Sequence, residues 1–112
     1  MKQLVGKTVK ECGWAGPLLW VCTSDGYSVH FFDSTIELDG KAVEPGESIN
    51  EVLAGDCIAR VAADDGWFSV HFESASILRV SSSGVETARA FKKGDLCSHF
   101  VYQNGKFVED PD

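Results

Sequence analysis

The sequence has no long hydrophobic run. Its longest apolar stretch, Pro17 to Cys22, is far too short to span a bilayer, so no membrane helix is expected. Met1-Lys2-Gln3-Leu4-Val5-Gly6-Lys7 lacks the apolar segment of a signal peptide, and a cytoplasmic location is expected. The four cysteines, at 12, 22, 57 and 97, form no Cys-x-x-Cys pair, which removes the usual zinc and redox motifs. In a reducing compartment they read as small buried apolar residues. Cys12 and Cys22 could face each other across a hairpin, a disulfide candidate only in an exported protein. Gly-x-x-x-x-Gly-Lys-Ser/Thr, Gly-x-Gly-x-x-Gly and Gly-x-Ser-x-Gly are all absent. No phosphate loop, dinucleotide fingerprint or nucleophile elbow is therefore expected.

Positive charge is scarce. Ten Lys and Arg stand against 17 Asp and Glu, a net charge of −7. Residues 1–56 carry four Lys and nine Asp or Glu, −5; residues 57–112 carry six Lys or Arg and eight acids, −2. Such a surface repels phosphate backbones, so no nucleic-acid partner is expected. It attracts basic proteins and speeds their encounter. The bland reading is that the charge only maintains solubility.

What is present reads as one domain, residues 1–112, with enough apolar residues (44%) for a modest core. Ser28-Val29-His30-Phe31 returns as Ser69-Val70-His71-Phe72, each after an Asp-Gly pair, Asp25-Gly26 and Asp65-Gly66. Leu4-Val5-Gly6-Lys7-Thr8-Val9 returns in pattern as Leu53-Ala54-Gly55-Asp56-Cys57-Ile58. Two internal repeats follow, about 4–39 and 53–80. Strands are expected over 7–12, 18–23, 27–32 and 35–38, then 58–63, 67–73 and 76–80, with alternating apolar residues and Gly, Pro or Asp-Gly turns between. Gly13 to Pro17, with Trp14, reads as a turn. Ser48 and Glu51 fit a capping box, so one short helix is expected near 48–54, with Ile49, Val52 and Leu53 as its apolar stripe. Residues 85–93 fit either period, and strand neighbours favour strand. The clearest hairpin is 97–108, turning at Asn104-Gly105. The sum is a mainly β fold of eight or nine strands: an antiparallel sandwich or partly open barrel built from two duplicated meanders. Val29, Phe31, Val70 and Phe72 are its expected paired core.

The candidate chemistry is thin. His30 and His71 occupy equivalent repeat positions and could converge on a metal with Asp33, Glu73 or a cysteine. No diagnostic ligand spacing supports this, and both read better as outer residues of strands. Cys97 and His99 are i, i+2 on one strand, about 6.5–7 Å apart by strand rise, too far for direct proton transfer. The paired carboxylates, Asp64-Asp65 and Asp33 with Glu37, read as turn chemistry. Tyr27 and Trp67 each open a strand beside an acidic turn, a pattern of interface anchors with a charged rim.

Leu4-Val5-Gly6, Asp25-Gly26, Val29-His30-Phe31, Leu53-Ala54-Gly55 and Val70-His71-Phe72 together resemble small bacterial β-rich immunity proteins of polymorphic-toxin and contact-dependent-inhibition systems. The resemblance implies a non-catalytic cytosolic antidote, without cofactor, that binds a basic toxin domain such as a nuclease. The expected binding residues are Asp25, Tyr27, Glu37, Asp39, Asp64, Asp65 and Trp67. Two alternatives stand beside it: a small-molecule-binding barrel with Trp20, Phe31 and Phe72 lining a cavity, and a metal or hydrolase site at His30 and His71.

Overall fold

The computed structural model describes residues 2–32, 34–64, 66–82, 86–103 and 106–110. The chain forms two antiparallel sheets packed as a sandwich, not a closed barrel. Strands β1 (Val9–Ala15), β2 (Leu18–Thr23) and β3 (Tyr27–Phe31) make a meander. The chain then crosses to the other sheet as β4 (Ser34–Leu38) and β5 (Lys41–Val43). A four-residue helix, α1 (Asn50–Leu53), leads to a second meander: β6 (Ile58–Asp64), β7 (Trp67–Phe72) and β8 (Ile77–Ser82). The chain crosses back as β9 (Glu86–Lys92), β10 (Asp95–Gln103) and β11 (Lys106–Glu109). The six-stranded sheet runs β1-β2-β3-β9-β10-β11, and the five-stranded sheet β5-β4-β8-β7-β6.

Each meander thus receives the other's crossing strand on its third strand: β3 pairs with β9, and β8 with β4. The register makes the correspondence residue by residue. Val9 faces Thr23 and Ile58 faces Phe72; Val21 faces Val29 and Val70 faces Leu78. Each counterpart lies 49 residues on, from Leu4 to Leu53 and from Phe31 to Val80. Even the bulge recurs, after Val9 and after Ile58. The two Leu-x-Gly-x-x-Val/Ile segments pair with each other about the pseudo-two-fold. Gly6 N–H donates to Ile58 O (2.7 Å) and Gly55 N–H to Val9 O (2.8 Å). Val9 N–H donates to Asp56 O and Ile58 N–H to Lys7 O, both at 2.8 Å. Gly6 and Gly55 both need positive φ, +87° and +88°, which explains glycine at each.

The Ser-Val-His-Phe tetrapeptides do not correspond under this two-fold. They are 41 residues apart, Ser28 to Ser69, and lie on β3 and β7. The counterpart of β3 is β8, and that of Ser69–Phe72 is Trp20–Thr23. The expected equivalence of His30 with His71, and of Tyr27 with Trp67, is therefore corrected. The physical reason is that polar-Val-His-Phe suits any strand with one face in the core. Leu-x-Gly-x-x-Val encodes a particular backbone turn and is the more specific repeat.

The core lies between the sheets. Val29, Phe31, Val70 and Phe72 are all buried in it, with Leu19, Phe68, Leu78 and Val80. Phe68 packs on Phe100, with ring centroids 4.7 Å apart. Phe31 and Phe72 fill this interior while Trp20 is only half-buried, on the outer face of β2, so the expected shared cavity is corrected. Cys12 points inward opposite Val21, whereas Cys22 points outward opposite Glu11, so the two thiols do not face each other. All four cysteines are free, and Cys97 is exposed rather than buried.

Other differences are local. Trp14 lies in β1, not in a turn, and the turn shrinks to Gly16-Pro17. Part of the polar connection after Gly40 becomes β5. Residues 86–92 are strand. Asn104-Gly105 lies outside the described residues. Ser48 does not cap α1; Ile49 precedes it with no side-chain cap. Asn50 Oδ1 instead accepts the Cys12 N–H (2.8 Å), so this side chain covers the β1 edge. Val52 is half exposed and leaves the expected stripe, while Ile49 and Leu53 are buried.

Candidate functional surfaces

The expected binding residues disperse, and most are occupied within the chain. Asp25 pairs with Lys7 at the end of β2. That hydrogen-bonded ammonium, with the Thr23 hydroxyl, holds the Asp25 carboxyl below its ordinary range. Tyr27 lies between two ammonium groups, Lys7 at 5.2 Å and Lys92 at 5.3 Å from its ring centre. Asp39, with φ +52°, caps the start of β8: its carboxylate accepts the Ile77 N–H (2.8 Å) and the Ser76 hydroxyl (3.2 Å). Asp64 ends β6, and Asp65 lies outside the described residues. Asp25 and Tyr27 meet around Lys7, and on the outer face of the five-stranded sheet Glu37 and Trp67 come together. Arg79 joins them, lying 4.1 Å over the Trp67 ring and 3.6 Å from the Glu37 carboxylate.

That face holds a cleft of about 250 Å³. Its floor is Ala62 on β6 and Ser69 on β7, directly paired across the strands. Trp67 and Arg79 wall one side; His71, Arg60 and Ile77 wall the other. The concavity exists because two small side chains sit among large ones. Ser69 Oγ lies 3.2 Å from His71 Nε2 and donates to the Ala62 carbonyl at 3.5 Å. The i, i+2 separation of Ser69 and His71 is bridged because a long ring leans back along its strand. Alternation would have found this group: Trp67, Ser69 and His71 share one face of one strand, and Arg79 faces Ser69 on the next.

The outer face of the six-stranded sheet is different in character. Trp20, His30, Phe32 and Phe91 are half-buried there, and Leu96 is exposed. His30 lies 4.8 Å from the Phe91 ring. Burial, then the Arg89 guanidinium, hold the His30 imidazole below its ordinary pKa. His30 and His71 thus stand on the outer faces of opposite sheets and do not converge. Among the described residues no group of three or more His, Cys, Asp or Glu is placed to hold a metal ion.

A third surface was not expected from the sequence. The segment after β5 passes over the β1 edge, tied by the Asn50 bond to Cys12 and by Trp14 Nε1–H donating to Glu47 O (2.7 Å). Glu44, Glu47 and Glu51 are exposed on it, and none has an ion-pair partner among the described residues. A legible signal existed: no Lys or Arg occurs between Lys41 and Arg60. Trp14 is half-buried beneath the segment, Trp20 packs flat over Gly13, and Val52 is half exposed.

Fold and surfaces together define an all-β sandwich with an acidic edge and two distinct outer faces. No family model matches the chain, and comparisons with curated proteins and with solved structures found no match. Among the described residues no helix is long and apolar enough to cross a membrane.

Proposed function

We propose that the protein is a non-catalytic binding protein of the immunity type, which neutralises a basic toxin domain such as a nuclease. The binding surface is acidic and anchored by aromatic side chains. One observation carries this reading: among the described residues Glu44, Glu47 and Glu51 stand exposed with no cationic partner, the Glu47 carboxylate accepting only the Glu44 N–H of its own segment (3.4 Å), on a stretch pinned over β1 beside Trp14 and Val52. The carboxylates expected to do this work at Asp25, Glu37 and Asp39 are engaged by Lys7, Arg79 and the start of β8. The acidic surface accordingly moves to the β1 edge. Uncompensated carboxylates raise the encounter rate with a cation-rich partner, and a pinned backbone limits the ordering cost on binding. Val52, half exposed beside Glu51, and the accessible part of Trp14 supply apolar area next to these carboxylates.

The test is association with the toxin-type product of the adjacent gene, measured by stopped-flow at several salt concentrations. Electrostatic steering of this kind makes the on-rate fall by roughly tenfold or more between low and high salt. The triple variant Glu44→Lys, Glu47→Lys, Glu51→Lys should lose that salt dependence and fail to protect cells. Absence of a complex at low salt would sink the proposal, as would full binding by the triple variant.

A further inference from the structure

We propose that the cleft on the outer face of the five-stranded sheet binds a small molecule through an oxyanion, a carboxylate or phosphate group. The site is separate from the acidic edge and does not rest on the immunity reading.

The charge distribution points to it first. The chain carries −7 overall and has three arginines, yet two of them, Arg60 and Arg79, flank this one void. They reach it from opposite sides of β7, since Arg60 faces His71 and Arg79 faces Ser69. Arginine presents a planar fork of N–H donors that matches a carboxylate or phosphate edge.

The two arginines are not equally spoken for. Arg79 is held by its stack on Trp67 and by a long 3.6 Å contact with Glu37, which leaves other donors of its fork open. That stack fixes the guanidinium in place before any ligand arrives. Arg60 is exposed and has no ion-pair or hydrogen-bond partner among the described residues, so no structural role in the fold accounts for it.

The floor supplies the rest. The Ser69 hydroxyl is nearly buried and bonded to His71, which places a hydroxyl and an imidazole between the guanidinium groups. Ala62 beside it leaves the room. At about 250 Å³ the cleft falls just short of the roughly 300–1,000 Å³ of drug-sized ligand sites, which suits a compact anion-bearing metabolite.

The test is NMR titration of the full chain with inorganic phosphate and, separately, with succinate. Sodium chloride at matched ionic strength is the control. Saturable shifts of the Arg60 and Arg79 side-chain N–H groups and the Trp67 indole N–H are expected with one probe or both. Which probe binds more tightly distinguishes phosphate from carboxylate ligands. Arg60→Gln removes a fork without touching the core and should weaken binding at least tenfold. Ala62→Phe fills the floor, leaves the charge unchanged and should weaken it equally. Retained amide dispersion shows that each variant is folded, and if Ala62→Phe unfolds, exposed Arg60→Gln decides. The proposal is overturned if neither probe gives saturable shifts, if chloride reproduces them, or if folded Arg60→Gln binds as the parent does.

Discussion

Replacing Gly6 or Gly55 by alanine tests the internal two-fold directly. Both residues lead the chain from a short helical stretch (a 3-10 turn at Lys2–Leu4, the helix Asn50–Leu53) towards a strand, with φ of +87° and +88°. A Cβ at either position would meet nothing within 4 Å, so the cost is conformational and not steric. An L residue in the left-handed region costs about 1–2 kcal/mol. Alanine also stiffens the unfolded chain, which offsets roughly 0.4–1 kcal/mol of that. The net loss is about 1 kcal/mol for each variant, more if the turn relaxes and releases its ladder bond. With a urea slope of about 1–3 kcal/mol per molar, the unfolding midpoint should fall by roughly 0.3–1 M. Equality is the discriminating result: Gly6→Ala and Gly55→Ala should shift the midpoint alike. Gly13→Ala is the contrast. Its φ is ordinary, but its Cβ would lie 2.6 Å from the Trp20 ring, so it should displace the indole and alter Trp emission. A neutral Gly6→Ala beside a costly Gly55→Ala would refute the equivalence of the two turns.

Two further outcomes are expected. Thr87 is fully buried, and its hydroxyl has no hydrogen-bond partner among the described residues. Thr87→Val keeps the shape and should raise stability by about 1 kcal/mol in thermal or urea unfolding; a loss would show that the hydroxyl is bonded. Burial pushes the Cys12 thiol up to about 11, with Cys22 and Glu11 adding to the shift. Because the thiolate is the reactive form, iodoacetamide at pH 7.5 should label exposed Cys97 and spare Cys12, with Cys12 labelling only in strong alkali. Peptide mass spectrometry reads this, and equal labelling at pH 7.5 would contradict a packed β1.

Much of the fold was legible because β-structure announces itself locally. Asp-Gly turns and alternation located most strands, and Val29, Phe31, Val70 and Phe72 point inward as a period of two requires. The capping box at Ser48 misled because the local signal competes with a tertiary one. Asn50 bonds the β1 edge instead, and Ile49 is drawn into the core. The repeated tetrapeptide misled for another reason: identity of side chains on a half-buried strand says which face is buried, not which strand it is. The candidate sites were the least legible. Asp25, Glu37 and Asp39 looked available until their partners came from elsewhere: Lys7, Arg79 and the Ile77 N–H.

By itself, then, the sequence determined the strand content, the acidic balance and the two Leu-x-Gly turns, since propensity, charge count and the left-handed glycine conformation are properties of short segments. Only the tertiary structure decided which meander matches which, which carboxylates have a cationic partner among the described residues, and that Arg60 and Arg79 flank one cleft. Those are distances between residues far apart in the chain, set by strand crossing and register. A crossing from β3 to β4 instead of a hairpin places β4 to β8 in the other sheet, and only the crossing from β8 to β9 returns the chain to the first.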